Sequence, residues 1–238
     1  MSYSSDYFTT RESWQDWRIE ARWLIDAACI TQGARVLEIG CGGGGLLRML
    51  RERDASVVGV DTLNVALNLA HERLGQAGDT ETRRQGDKEN VTMSPSRLVS
   101  WSLIHIGEDN TLPFRDASFD AIIAQHAIEH LPNTDAALRE WKHLLKQNGR
   151  IALATPNALY PDPAHFADAD HSHIFAPQEL RATVERAGFS VESCYTIFPF
   201  LSRLRALRAF GVMAYRIFQR APYFASHGRT IVLSAHKS

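Results

Sequence analysis

A glycine cluster that follows an acid carries the clearest chemistry in the sequence. Glycine fills five of the six positions from Gly40 to Gly45, directly after the mostly apolar run 36–39, and an amphipathic segment follows. This order predicts a strand, a tight turn and a helix. Glycines allow a backbone to approach a ligand closely, and a helix that begins there directs its first N–H groups into the same space. The turn is therefore predicted to bind a nucleotide-like ligand.

Two binding patterns overlap in this turn. Gly40, Gly42 and Gly45 match the dinucleotide pattern G-x-G-x-x-G. The run from Glu38 to Gly44 also matches E-x-G-x-G-x-G, in which an acid precedes the first glycine. A carboxylate at the end of the first strand would repel a pyrophosphate and attract a cation. The acid therefore favours a ligand that carries positive charge.

A second carboxylate, Asp61, ends the next predicted strand, 56–61. In an open parallel sheet, ligands bind beyond the carboxyl ends of the strands, so Asp61 would stand beside the glycine turn. A carboxylate at this spacing from the turn can accept hydrogen bonds from both hydroxyls of a ribose.

The chain opens with a helix signal that precedes these groups. Residues 9–12 have the spacing of a capping box, and apolar residues that include Trp14 and Trp17 recur after them at helical intervals. We predict that this helix packs on the core. The alternative is a lid over the glycine turn, with Tyr7, Arg11 or Trp14 in contact with the ligand.

Further elements alternate between helix and strand, as expected for an α/β fold. The predicted ranges are helix 64–74, strand 99–106, strand 121–124, helix 135–146 with a C-cap signal at 148–149, strand 150–155, helix 177–187, strand 191–198 and strand 230–235. The polar segment 75–97 has no clear period and is predicted to be a long surface loop.

Composition limits the classes of protein that the chain can be. Its 238 residues, 45% hydrophobic and 22% charged, suit one globular domain. A net charge of -1 gives no argument for a nucleic-acid partner. No run approaches the ~18 apolar residues of a membrane span, and no membrane insertion is expected. Three widely spaced cysteines without metal-ligand spacing are expected to be free thiols, and the protein is expected in the cytoplasm.

The middle of the chain carries a further set of motifs. The run 112–120 reads L-P-F-R-D-A-S-F-D, and 129–131 reads E-H-L. With the glycine turn and Asp61 in order, these motifs make residues 34 to about 155 resemble the class I S-adenosylmethionine-dependent methyltransferases. The resemblance implies a Rossmann-like, seven-stranded, mostly parallel sheet with helices on both faces and an antiparallel last strand between the fifth and sixth. It implies S-adenosylmethionine as cofactor and a small-molecule acceptor.

The resemblance also implies roles for the residues of the glycine turn. Gly40, Cys41 and Gly42 would line the methionine part of the cofactor, and Glu38 would lie near its amino group. These positions match the family's first motif in this sequence.

The adenosine part of the cofactor would contact the ends of the next two strands. Asp61 would accept from the ribose hydroxyls, and Thr62 would lie beside the adenine. Glu108 stands where the family usually has Asp and would accept from the adenine amino group, while the backbone of Asp109 would meet the ring.

The methyl group would be transferred near the end of the fourth strand. By resemblance, Gln125 and His126 lie nearest to it. If the acceptor must lose a proton, His126 is the first candidate for general base and His130 the second. An alternative for His130 is a helix residue that is hydrogen-bonded to a neighbouring loop.

The acceptor is expected to contact the N-terminal helix and the stretch after the fifth strand, at Trp14, Tyr160, His171 and His173. Histidines and aspartates cluster at 162–173. No metal site is expected, because their spacing dictates no tetrahedral set. A histidine there could instead orient or deprotonate an acceptor hydroxyl. Simple hydrogen bonding to the loop backbone is the alternative.

A basic amphipathic segment spans 200–218. It is expected to pack on its own domain, with arginine stems over apolar surface. Contact with a membrane or a lipid-like acceptor is the alternative.

One methyltransferase domain is therefore predicted for 1–238. It comprises a helical cap (1–30), a cofactor-binding core (31–155), a substrate-side region (156–225) and a final strand (226–238). Two other classes remain open: an NAD-dependent oxidoreductase, and a non-catalytic subunit that binds S-adenosylmethionine. The sequence leaves open which atom is methylated and the oligomeric state.

Overall fold

The computed structural model describes residues 4–75, 100–107, 111–160, 170–198, 210, 213 and 228–238. The strands are β1 (Arg35–Ile39), β2 (Ser56–Asp61), β3 (Trp101–His105), β4 (Phe119–Gln125), β5 (Leu145–Pro156), β6 (Phe189–Ile197) and β7 (Thr230–Lys237). The helices are α1 (Ser5–Glu12), α2 (Gln15–Ala27), α3 (Gly45–Arg51), α4 (Asn64–Gly75), the 3-10 helix Ile128–His130, α5 (Thr134–Leu144) and α6 (Pro177–Arg186). The stretch predicted as a surface loop, 75–97, lies almost wholly outside the described residues, as does the amphipathic segment 200–218 apart from Phe210 and Met213.

All seven strands form one sheet in the order β3-β2-β1-β4-β5-β7-β6. The pairs from β3 to β5 are parallel, whereas β7 is antiparallel to both β5 and β6. The predicted fold class is therefore confirmed, including the place of the last strand. In this topology the carboxyl ends of β1, β2 and β4 lie at one edge of the sheet, where the chain passes from one side to the other.

Each face of the sheet is covered by helices, which explains the apolar runs of the central strands. Leu24 of α2 and Leu47 of α3 belong to one buried cluster. Trp141 of α5 and Leu180 of α6 belong to the other. No helix of the described part of the chain is long and apolar enough to cross a membrane.

The prediction of one N-terminal helix is wrong in one respect. The chain forms two helices, and Ser4 caps the first, because its hydroxyl accepts from Tyr7 N. The predicted capping box at 9–12 is wrong: Thr9 Oγ1 donates to Ser5 O at 3.0 Å, within α1. Glu12, predicted to complete the capping box, accepts instead from Arg73 of α4, and Trp14 is the N-cap residue of α2.

The predicted C-cap at 148–149 is also wrong. Helix α5 ends at Leu144, because the chain becomes extended at Leu145, which pairs with Phe119 of β4. Asn148 has a φ of 61° and lies in an irregular part of β5, before the regular pairing begins at Arg150. The positive φ of Asn148 therefore lies within a strand and not at the end of a helix.

Gly40 lies at the turn where β1 leaves the sheet, with a φ of 68°, and a Cβ there would lie 2.9 Å from Ala127 Cβ. Gly33 has a similar φ of 78°, but nothing lies within 4 Å of its Cβ position. Gly40→Ala is expected to lower the free energy of unfolding by about 1–3 kcal/mol more than Gly33→Ala, because only the first adds a clash to the shared backbone strain. Urea unfolding of both variants measures this difference, and equal losses would contradict it.

Candidate functional site

A cavity of 980 Å³ opens at the carboxyl ends of β1, β2 and β4, beneath α1 and the start of α2. Its size lies near the upper end of the range of about 300–1,000 Å³ that is typical of small-molecule sites. The glycine turn forms one wall, and the segment around the 3-10 helix forms another.

Glu38 ends in this cavity as a buried carboxylate, with 3% of its surface exposed. Its Oε2 atom has no hydrogen-bond partner within the part of the chain that the structure describes. Burial raises the pKa of Glu38 well above its usual range, and the charges of Glu12 and Asp61 raise it further. A buried acceptor atom of this kind is expected to have a partner, and a cationic ligand group can supply one.

Asp61 fixes the glycine turn from the neighbouring strand. Its Oδ2 accepts from Gly42 N at 2.9 Å, and its Oδ1 accepts from Leu63 N at 2.9 Å. Burial raises the pKa of Asp61, although the backbone N–H groups of Leu63, Gly42 and Thr62 act to lower it. Because each carboxylate oxygen can accept more than one hydrogen bond, Asp61 keeps capacity for ligand hydroxyls. The exposed Thr62 lines the cavity beside it.

Helix α1 covers the glycine turn. A Cβ on Gly42 would lie 3.1 Å from the Phe8 ring, and the Glu12 carboxylate accepts from Gly45 N. The structure thus supports both interpretations of the N-terminal region, because α2 packs on the core while α1 lies over the turn. Part of the free N–H capacity expected at the start of α3 is already used by Glu12.

Arg73 holds α1 in this position. It donates from Nη1 to Glu12 Oε2 at 2.7 Å and to Gly43 O at 2.9 Å, and from Nη2 to Thr9 Oγ1 at 2.9 Å. Both partners of the ion pair are mostly buried, with side-chain exposures of 20% and 17%. Removing one partner of such a pair costs more than breaking a surface pair, because it leaves a partly buried charge without its partner.

Arg73→Gln is therefore expected to loosen α1 without unfolding the domain. Loss of a partly buried, charge-assisted contact of about 1–3 kcal/mol corresponds to roughly 5- to 150-fold faster amide exchange in α1. Hydrogen exchange with mass spectrometry measures this rate. Arg53→Gln is the control, because the Arg53–Asp26 pair is exposed; equal exchange in the two variants would contradict the assignment.

The far end of the cavity contains a chain of buried polar groups. Glu20 of α2 accepts from Gln125 Nε2 at 2.8 Å and pairs with His126 Nε2 at 2.8 Å. His126 Nδ1 lies 3.2 Å from Glu129 Oε1, and Glu129 Oε2 accepts from Thr155 Oγ1 at 3.0 Å. The two ring nitrogens of His126 therefore each face a carboxylate.

Charge and burial act in opposite directions on His126. Burial and the positive charge of Arg11 lower its pKa, but the charge of Glu20 and hydrogen bonds to Glu129 and Glu20 raise it, and the net change is upward. In turn, the His126 ring lowers the pKa values of Glu20 and Glu129 against the effect of their burial. An imidazolium has no lone pair for a proton, so this geometry does not favour His126 as general base.

His130 has a different environment. Its Nδ1 lies 3.0 Å from the backbone oxygen of Asp170. A carbonyl only accepts, so Nδ1 carries the hydrogen and Nε2 of the neutral ring carries the lone pair. The ring lines the cavity and contacts the ring of His171 at 4.9 Å between centroids.

Glu129, His130 and His171 bring possible metal-ligating atoms within 4.8 Å of one another. Backbone contacts explain this proximity: Ser172 N and His173 N donate to Glu129 O, and Ser172 Oγ donates to His130 O. The Glu129 carboxylate is already engaged by His126 and Thr155.

The residues predicted to contact the acceptor divide into two groups. Trp14, with 38% of its surface exposed, and His171 line the cavity. The described lining includes neither Tyr160 nor His173, and His173 Nε2 instead pairs with Glu179 at 2.7 Å. The predicted adenine contacts Glu108 and Asp109, like the loop positions 162–169, lie outside the described residues.

Sequence reasoning missed Glu20. It lies three positions after Trp17 and four before Leu24, on the apolar face of the amphipathic helix α2. An acid on such a face is a signal of a buried partner. Its partner, Gln125, is 105 positions away along the chain.

This fold, with an acid and glycines at β1 and an aspartate at the end of β2, is that of a nucleotide-cofactor enzyme of the class I methyltransferase type. A family model described as a methyltransferase domain matches residues 10–194. The ubiquinone biosynthesis O-methyltransferase of Paraburkholderia phymatum is 30% identical over 188 residues, which cover 71% of this chain and 70% of that protein. The protein of the same name from Aeromonas salmonicida is 24% identical over 187 residues, 71% and 68% of the two chains. The chain belongs to the methyltransferase family.

Solved structures share the fold. Phosphoethanolamine N-methyltransferase 2 of Haemonchus contortus, in complex with S-adenosyl-L-methionine, has a TM-score of 0.64 at 16% identity, covering 93% of this chain and 52% of that chain. The protein is an S-adenosylmethionine-dependent methyltransferase that acts on a small-molecule acceptor. The Glu38 Oε2 atom, which has no hydrogen-bond partner among the described residues, and the Gly42 turn fit the ammonium and the methionine chain of this cofactor.

Proposed function

We propose that the enzyme transfers the methyl group of S-adenosylmethionine to a hydroxyl oxygen of a small molecule. The observation that carries this proposal is His130, a cavity-lining imidazole whose tautomer is set by the Asp170 carbonyl so that Nε2 can accept a proton. The names of the relatives, which are O-methyltransferases, support the choice of oxygen. A nucleic-acid acceptor is not proposed, because the net charge is -1.

Glu38 would bind the cofactor's ammonium, and Asp61 would accept from its ribose hydroxyls. Gly40, Cys41 and Gly42 would border the methionine chain. The Cys41 Sγ lies close to the Cβ position of Gly59, so this residue would contribute its backbone. Burial, with the charges of Glu38 and Asp61, raises the pKa of Cys41 well above its usual range, which argues against a thiolate role.

The sulfonium of the bound cofactor supplies an already activated methyl group, so this chain mainly has to orient the acceptor and exclude water. His130 Nε2 would take the hydroxyl proton as the oxygen forms its bond to the methyl carbon and the carbon–sulfur bond breaks. Trp14 and His171 would bound the acceptor side. Thr62 would border the adenine side, and Gln125, fixed by Glu20, would lie near the methyl group.

The test is product analysis with an acceptor panel of aromatic diols, aromatic amines and aliphatic amines. Purified protein is incubated with S-adenosylmethionine carrying a deuterated methyl group, and products are identified by mass spectrometry and NMR. Formation of an O-methyl ether from a hydroxyl acceptor, with no methylated product from the amines, supports the proposal. An N-methyl product would overturn it, and binding of the cofactor without turnover of any acceptor would favour a regulatory subunit.

A further inference from the structure

The clearest group without an assigned role is Glu20. It belongs to α2, outside the strand ends that hold the cofactor, yet only 5% of its surface is exposed. One oxygen, Oε1, contacts both Gln125 and His126, the two residues at the carboxyl end of β4. A buried carboxylate is costly unless it is paired, so its position needs a reason.

His126 is held in an unfavourable backbone conformation. Its φ is 54°, a left-handed value that non-glycine residues rarely adopt. Its N–H donates to Ala154 O at 2.8 Å, and its ring is fixed by Glu20 and Glu129. Strain of this kind persists where the surroundings determine the conformation, and it is concentrated at functional sites.

The groups that face His126 come from three elements. Glu20 lies on α2, Arg11 on α1 and Glu129 on the 3-10 helix. With His126 protonated, the two cations balance the two carboxylates. With His126 neutral, the buried cluster carries one excess negative charge beside the place where an acceptor oxygen becomes anionic.

We propose that Glu20 is a positioning residue that clamps His126 as an imidazolium and so keeps the charge at the methyl-transfer end balanced. Only the expected effect of Glu20 on turnover rests on the proposed function; the clamp on His126 does not. The two histidines then have different roles: His126 is held as a cation, and His130 is the proposed base.

The first test needs no acceptor. The ring nitrogens of ¹⁵N-histidine-labelled protein are followed by NMR across pH 5–10 in the wild type and in Glu20→Gln. In the wild type His126 should remain protonated above the ordinary histidine range, and Glu20→Gln should lower its midpoint by at least about one pH unit, the tenfold change expected for loss of a charge-assisted bond. Asp26→Asn, on the exposed face of the same helix, should leave the midpoint unchanged.

An ordinary midpoint for His126 in the wild type, or the same raised midpoint in Glu20→Gln, would overturn the proposal. If Glu20→Gln does not fold, Glu20→Asp keeps the charge on a shorter side chain. It should retain a raised midpoint but broaden the ring signals, and an ordinary midpoint in that variant would also contradict the clamp.

Turnover then tests the positioning role with a hydroxyl acceptor from the panel. Glu20→Gln should lower kcat about tenfold near pH 8, and the ratio of mutant to wild-type kcat should rise as pH falls and His126 becomes protonated in both. A ratio independent of pH would indicate a merely structural role and overturn the proposal. Failure of the proposed function would appear separately, as absence of any O-methyl product from wild-type protein.

Discussion

His130→Gln is expected to lower kcat by a factor of about 10² to 10⁴ with a hydroxyl acceptor, the usual contribution of a general base. Glutamine retains a hydrogen bond to the Asp170 carbonyl but offers no basic nitrogen. Because we propose His130 for proton transfer and not for cofactor binding, the affinity for S-adenosylmethionine should change less than about twofold. Steady-state kinetics and calorimetric titration measure the two quantities.

The matched control is His143→Gln, a histidine on α5 whose side chain is 72% exposed. It should leave both quantities unchanged. His130→Gln with wild-type kcat would remove His130 from the mechanism, and an equal loss in both variants would point to a general effect on folding.

Glu38→Gln is expected to weaken binding of S-adenosylmethionine by about 10- to 100-fold while stabilising the cofactor-free protein by about 1–3 kcal/mol. The loss of affinity is that of a charge-assisted hydrogen bond. The gain in stability at neutral pH arises because burial raises the pKa of Glu38, so that unfolding releases a proton that glutamine does not carry. Calorimetric titration and urea unfolding should therefore change in opposite directions. Glu192→Gln, at a distant ion pair of the sheet edge, should affect neither binding nor its pH dependence.

The effect of Glu38 on stability depends on pH in a definite direction. Its pKa in the folded protein is raised, so well below its ordinary value of 4.5 the residue is protonated in both states and does not make stability depend on pH. Above its ordinary value of 4.5 the unfolded state loses a proton that the folded state keeps, and unfolding becomes more favourable. The stability gained by Glu38→Gln should therefore grow between pH 4 and 8. A gain that does not vary with pH would contradict the buried, protonated state.

Binding of the cofactor's ammonium requires the ionised carboxylate, so it should release a proton from Glu38. Titrations of wild-type protein in buffers with different ionisation enthalpies measure this release, which Glu38→Gln should abolish. Release that is equal in both proteins would assign the proton to another group.

The parts of the site that the sequence predicted are those that depend on local order. The glycine turn, Glu38 and Asp61 follow directly from two strands and their ends, and parallel pairing of β1 with β2 places them together. The apolar pattern of each strand and the residues directly after it were sufficient to predict the positions of these groups.

The remaining site depends on contacts between distant segments. Glu129 lies three residues after His126, but the second carboxylate, Glu20, comes from α2, so the upward shift of the His126 pKa could not be inferred from its neighbours in sequence. For this reason His130, the second candidate for general base in the sequence, replaces His126 as the first. Likewise, Glu12 at the end of α1 pairs with Arg73 of α4, a contact that propensity along one helix does not reveal.

The most direct test of the account is calorimetric titration of the purified protein with S-adenosylmethionine, S-adenosylhomocysteine and NAD, repeated on Asp61→Ala. Both adenosyl ligands should bind in the micromolar range, NAD should not bind, and Asp61→Ala should weaken binding by about 1–3 kcal/mol through the lost ribose hydrogen bonds. A preference for NAD, or no binding of either adenosyl ligand by folded protein, would contradict the assignment of this site.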